Sequence, residues 1–322
     1  MPSSRILLLI ASISVAGGLI FFATQTFKPQ TFVPIPEKSG LIVEKALQNT
    51  SSEDTDQDGL KDWEEVLWGT DPSKADSDGD GENDGDEVIA GKNPKVTGAG
   101  SGAETISSIK NEEENLTETD KFSRAFFEEY LSLKQKTGAS VSPITQENII
   151  KELLENQKPF TFTTYSESDL FVNQDISTQA LKQYGNAVGK AFNNNPTPAG
   201  QKHEIDIFEA AITSERAQDL AGLSPIIDSY AGTLKNLLSI QVPKTALSLH
   251  LNLINSMSAV VESITAMRSF FDDPISALPG IGAYNTFSKQ LRNSFGAYQI
   301  FFLQKNVTFQ QSEHGSLLMN TI

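Results

Sequence analysis

Two stretches of this chain, 22 residues apart, repeat one spacing of carboxylates and glycines, and that repeat limits how their surroundings can fold. The first copy runs Asp54-Thr55-Asp56-Gln57-Asp58-Gly59-Leu60-Lys61-Asp62-Trp63-Glu64-Glu65. The second runs Asp76-Ser77-Asp78-Gly79-Asp80-Gly81-Glu82-Asn83-Asp84-Gly85-Asp86-Glu87. The correspondence continues past the acids, with Val66-Leu67 matching Val88-Ile89, Gly69 matching Gly91 and Pro72 matching Pro94. A fixed period of this kind is an internal duplication. From Glu53 to Glu87 there are fifteen carboxylates and two lysines, so this span carries thirteen of the chain's sixteen excess negative charges. A segment so charged repels itself and buries no core of its own, so it stays open unless cations neutralise it.

The spacing has a chemical reading. Calcium takes six to eight oxygens, and carboxylates at positions 1, 3 and 5 of a loop converge on one point only if the chain turns sharply after them. Gly59 and Gly81 occupy position 6, where a residue with a Cβ is at a disadvantage. The expected ligands are Asp54, Asp56, Asp58, the carbonyl of Leu60, Asp62 and Glu65 in the first loop. In the second they are Asp76, Asp78, Asp80, the carbonyl of Glu82, Asp84 and Glu87. The predicted cofactor is therefore Ca2+. A regulatory EF-hand pair fits less well, because turn-like residues 48–52 replace an entering helix. In addition, Lys61 and Asn83 stand where paired loops usually carry an apolar bridge.

Residues 54–94 resemble bacterial thrombospondin type 3-like calcium repeats: an acidic loop, a short helix with the closing Glu, then the turn Gly69-Thr70-Asp71-Pro72 and its copy Gly91-Lys92-Asn93-Pro94. The resemblance covers about an eighth of the chain and implies calcium-dependent rigidity in an extracellular spacer. Gly85 departs from Trp63 at position 10, which predicts a frayed exit helix in the second copy. A dockerin has a similar period but closes with Asp and continues into a longer helix.

Before the repeat, Arg5 precedes eighteen uncharged residues, Ile6 to Ala23, about 27 Å long as a helix and so long enough to span a bilayer. The expectation is a single-pass anchor over residues 1–27, N-in with the bulk extracytoplasmic at the cell surface. The competing reading is a cleaved signal at Ser14-Val15-Ala16, giving a secreted chain. A Pro-containing stalk (28–49) leads into the two repeats (50–96). The chain has no cysteine, which excludes disulfides, thiolate metal sites, cysteine nucleophiles and lipid attachment at a lipobox. No basic stripe offsets the acidity, so nucleic acid is not an expected partner.

After the repeats, a Gly-, Ser- and Glu-rich stretch (97–119) reads as a flexible tether. Residues 120–312 read as a helical bundle with at most a short β element, followed by a tail (313–322). The fold class is thus mainly α: a transmembrane helix, a small calcium-loop module and a C-terminal bundle. Phe122, Phe126 and Tyr130 form one stripe. Ser142-Pro143 starts a helix that buries Ile149, Ile150, Leu153 and Leu154. Phe160-Thr161-Phe162-Thr163 alternates as a short strand or extended segment. Further helices are expected over Thr178–Asn193, Gln201–Leu220, Ser224–Ser239 and Thr245–Phe271. A last one carries Tyr284, Phe287, Leu291, Phe295, Tyr298 and Phe302, joined to its predecessor through Pro279-Gly280 as an antiparallel pair.

This domain offers little chemistry. His203-Glu204 opens like a zinc-protease motif, but Ile207 stands where the second histidine belongs. Gly185 to Lys190 is too short for a phosphate loop, and Ala191 replaces its Ser/Thr. His250 reads as packing at the core's edge. The reading is a non-enzymatic structural or interaction protein whose bundle meets a cell-envelope, pilus or secretion partner. A cell-envelope hydrolase with an unrecognised site in the bundle is the alternative.

Overall fold

The structure, a computed structural model, describes residues 53–97, 116–137 and 141–319. The expected anchor and stalk lie outside the described residues, as does most of the expected tether. Among the described residues no helix is long and apolar enough to cross a membrane. The described chain is mainly helical and falls into two compact units.

The first unit comprises the described residues up to Gln157 together with Asp273–Ser276. Its helices are α1 (Asp62–Trp68), α2 (Asp84–Ile89), α3 (Glu118–Thr137) and α4 (Pro143–Glu155). Helix α3 begins on a borrowed carboxylate: Asp273 accepts from the backbone N–H of Glu118 and of Thr119, each at 2.9 Å. This satisfies two donors that a helix start leaves open, and it puts negative charge at the positive end of the dipole. Ser142 caps α4, accepting from Thr145 N–H at 3.2 Å with Pro143 in the first turn. Phe126, Tyr130, Val141 and Ile149 form a small core, with Ile150 and Leu153 half-buried against it. The sequence grouped α3 and α4 with the C-terminal bundle, whereas here they share a unit with the repeats.

The second unit holds Lys158–Asp272 and the described residues from Ala277 on. It contains α5 (Thr178–Asn193), α6 (Glu204–Thr213), α7 (Ser224–Leu238), α8 (Leu247–Arg268) and α9 (Pro274–Gln304 from Ala277 on). Strands β1 (Phe171–Asn173) and β2 (Gln241–Pro243) pair in parallel, with Val172 opposite Val242. The alternating segment at Phe160 forms no strand. Side chains of α8 hold it instead: Asn255 donates to the Tyr165 carbonyl (3.0 Å) and accepts its N–H (2.6 Å), and Ser258 donates to the Thr163 carbonyl (2.7 Å).

Three further expectations shift. The helix expected over Gln201–Leu220 is broken after Thr213. Arg216 N–H reaches back to the Ala211 carbonyl (3.0 Å) and Glu215 adopts φ 53°, a Schellman-type stop made without glycine. The connection placed at Pro279-Gly280 lies instead at 269–273, because Pro274 starts α9 and Pro279 is accommodated inside it. Ala266 lies against Gly280 and His250 meets Tyr298, so α8 and α9 are antiparallel. The segment set apart as a tail is docked on α5: Gly315 N–H donates to Asn186 (2.8 Å), Lys182 pairs with Glu313 (2.9 Å) and Leu318 is buried.

His250 is not at the core's edge but fully buried in it. Its Nε2 lies 3.2 Å from the Leu237 carbonyl, which can only accept, so Nε2 carries the proton. Nδ1 then accepts from Tyr184 Oη at 3.0 Å, and Tyr184 Oη lies 2.7 Å from Tyr298 Oη. Burial lowers this histidine's pKa to about 4, and the bond to Leu237 opposes the shift. The zinc-protease-like pair has structural roles too. His203 caps α6 through Ile205 N–H (3.3 Å), and buried Glu204 accepts from Tyr284 Oη (2.7 Å).

Candidate metal centres

The duplication in sequence is a duplication in hydrogen bonding. The position-1 carboxylate accepts from the position-6 glycine: Gly59 N–H to Asp54 at 3.2 Å, Gly81 N–H to Asp76 at 3.0 Å. Position 5 accepts from position 7, Leu60 N–H to Asp58 at 2.7 Å and Glu82 N–H to Asp80 at 2.9 Å. Position 3 accepts from position 5 in both copies, Asp56 from Asp58 N–H and Asp78 from Asp80 N–H. These bonds wind each loop about its own carboxylates. Gly59 and Gly81 have φ of 96° and 97°, as position 6 requires. Position 4 is left-handed as well, and there the first copy carries Gln57 (φ 62°) where the second has Gly79 (φ 81°).

The winding brings carboxylate oxygens of Asp54, Asp56 and Asp58 within 4.8 Å of one another, and likewise those of Asp76, Asp78 and Asp80. The closing acids Glu65 and Glu87 sit on α1 and α2 and are almost wholly buried. Leu60 and Glu82 follow the glycines at position 7, and the Glu82 carboxylate is ion-paired with Lys92. Position 9 differs between copies. Asp62 gives one oxygen to Thr55 N–H (2.8 Å) and the other to Thr55 Oγ1 (2.8 Å). Asp84 gives one oxygen to Ser77 N–H (2.9 Å) and is fully buried.

These carboxylates have the electrostatics of a site built for a cation. Buried oxygens of Asp54, Asp56, Asp78 and Asp84, both of Glu65 and one of Glu87 have no hydrogen-bond partner. An orphaned buried acceptor is costly, and a hard cation is what would satisfy so many at once. Burial, followed by the neighbouring charges of Asp56, Asp58, Asp62 and Asp84, raises the Glu65 pKa to about 8. Burial and then Asp78, Asp80, Glu82 and Asp84 raise that of Glu87 to about 7. The donor set is all oxygen, which suits calcium.

The family model of the bacterial TSP3 repeat matches residues 54–75 and 76–96. The two segments are bacterial TSP3 repeats. Such repeats are of a calcium-binding type, and the aspartate clusters at 54–58 and 76–80 of the TSP3 pair can hold a metal ion. No curated protein and no solved structure matches the chain.

Three features of the TSP3 pair escape the motif. Gly85 is not a weak point: α2 is helical over Asp84–Ile89, and Gly85 N–H donates to Asp58 of the first loop at 2.9 Å. A Cβ there would lie 2.3 Å from the Asp58 carbonyl oxygen, so glycine is what lets the second repeat close on the first. Lys134 of α3 is buried under the first loop, donating to the Gly59 carbonyl (3.0 Å) and to Glu64 (2.9 Å). Glu64 also accepts from Lys61 N–H (2.8 Å) at the start of α1. Finally, Leu60, Val88 and Leu131 form a small apolar core, flanked by Trp68 and Phe127. A lysine four residues after Tyr130, on the stripe of Phe122 and Phe126, was the visible sign of the ion pair.

Proposed function

We propose that this is a membrane-anchored, extracytoplasmic structural protein in which two calcium ions hold the TSP3 pair and the chain presents a helical unit to a cell-envelope partner. The observation that carries the calcium reading is the set of buried, unpartnered carboxylate oxygens in both loops, closed by Glu65 and Glu87. The first ion is held by Asp54, Asp56, Asp58, the Leu60 carbonyl and Glu65, with Asp62 bracing the loop through Thr55. The second is held by Asp76, Asp78, Asp80, the Glu82 carbonyl and Glu87, with Asp84 at position 9. What supports the location is the uncharged run Ile6–Ala23 behind Arg5. The role is binding and presentation, not catalysis. For a site with a dissociation constant near 10⁻⁴ M, ~1 mM calcium stabilises the bound form by about 1.4 kcal/mol. That suits a standing structural ion outside the cell.

Calorimetric titration of the full chain in detergent micelles tests it, beside a variant with Asp54, Asp58, Asp76 and Asp80 changed to Asn. The expected result is near two calcium ions per chain at sub-millimolar affinity, lost in the variant. No heat at millimolar calcium, with an unchanged melting temperature, would leave the repeats as an acidic linker. For the location, the full chain is expected in the membrane fraction, and deletion of residues 1–27 releases it.

A further inference from the structure

The geometry points to Asp84 as a ligand shared between the two calcium sites, so that the second repeat completes the first. This rests on the calcium reading above. Position 9 offers the first hint. In the first copy both Asp62 oxygens are engaged by Thr55 and the residue is only half-buried. In the second copy Ser77 Oγ is turned away to accept from Asp71 N–H at 2.8 Å, so Asp84 has only the Ser77 N–H on one oxygen. Its other oxygen is buried and without a partner.

The residue that follows Asp84 is packed against the first loop. Gly85, the following residue, donates its N–H to Asp58 and lies against the Asp58 backbone. Asp84 therefore stands beside the first site's position-5 carboxylate. Its charge is also among those that act on Asp56, Asp58 and Glu65, all in the first loop, and on Glu87 in the second. A buried carboxylate between two calcium loops, with one oxygen unclaimed, is placed to serve both ions. A carboxylate oxygen that already accepts one hydrogen bond keeps a lone pair for a cation, so the Ser77 bond does not exclude Asp84 from its own loop.

The test reads the loops separately, using the Gly59 and Gly81 amide resonances of the full chain, labelled with [15N]glycine in detergent micelles and titrated with calcium. Asp84→Asn keeps an acceptor for Ser77 and removes the charge. It is expected to raise the calcium concentration at half-saturation at least ten-fold for both Gly59 and Gly81. Asp62→Asn is expected to act on Gly59 alone. Asp76→Asn with Asp80→Asn strips the second loop but leaves Asp84, and should move Gly59 much less than Asp84→Asn does. Should Asp84→Asn alter the calcium-free spectrum, Gly85→Ala replaces it. Its methyl pushes the first loop off Asp84 with every carboxylate kept, weakening Gly59 and sparing Gly81. A Gly59 titration unchanged in Asp84→Asn overturns the sharing while calcium binding stands. So does a loss at Gly59 equally large in the Asp76/Asp80 variant. A wild-type chain in which neither resonance responds overturns the calcium reading and the sharing together.

Discussion

A carboxylate buried among other carboxylates keeps its proton, and Glu65 and Glu87 turn that rule into a measurable pH dependence. Their pKa values rise from an ordinary 4.5 to about 8 and about 7. In calcium-free protein the folded state therefore holds protons that the unfolded chain has released above pH 4.5, and its stability falls as pH rises toward 8. Calcium needs the ionised form, so binding expels protons. Affinity should be higher at pH 8 than at pH 6, and titrations in buffers of different ionisation heat should show the release. Equal affinities with no proton release would remove both residues from the ligand set. His250 works in the opposite sense. Its pKa falls from 6.5 to about 4, so the stability of the second unit is full above pH 6.5 and declines as pH drops toward 4. Urea unfolding should show a lower midpoint at pH 5 than at pH 7, and His250→Gln should narrow that difference. At this scale the two aspartate clusters and both position-6 glycines were legible, because the motif prints them. Gln57 in a left-handed conformation was not, since nothing about glutamine announces φ 62°.

At the scale of elements, α3 is tied to the first repeat by the packing of Leu131 on Leu60 and by the buried Lys134–Glu64 ion pair. Taking Lys134 away leaves Glu64 buried and uncompensated, a loss of about 3 kcal/mol, and Glu64→Gln in the same chain should recover part of it. Thermal melting of Lys134→Ala and the double variant checks this. The Lys134 contact is also made to the carbonyl of Gly59, beside the expected ligand carbonyl of Leu60. Amides of Glu118–Thr137 should therefore exchange faster with deuterium when calcium is chelated, whereas unchanged exchange would mean that α3 docks independently of the ion. Helix spans were legible where caps and stripes are local: Ser142-Pro143 opened α4, and α5 begins and ends where its pattern does. The stop after Thr213 was not legible, because it is a backbone arrangement closed by Glu215 rather than by glycine. Nor was the continuation of α9 through Pro279, where tertiary packing offsets one missing N–H.

For the molecule as a whole, the division into units is the part that sequence patterning reads least well. Composition marks a tether at 97–119, yet the partners of Lys134 lie 70 and 75 residues away and those of Thr119 some 154. Contacts at such separation leave no periodic trace, so α3 and α4 looked like the first helices of the bundle. The same holds for His314–Leu318, whose burial depends on α5 rather than on any pattern of its own. The acidity, by contrast, was legible as a local fact. Without calcium, the self-repulsion of the 53–87 span should open it to cleavage within the span in limited proteolysis of the full chain. Cleavage within the span no faster in chelator than in calcium would show that the loops hold without the ion.

The glycine under Asp58 also sets a rule for how such an array grows. A repeat with glycine at position 10 can accept the loop before it, while one with tryptophan, as at Trp63, has no room for that approach. The first repeat is thus a terminus by composition and the second an interior unit. Copies of the second inserted after residue 96 would each close on their predecessor and lengthen the array, whereas copies of the first would break it into separate beads.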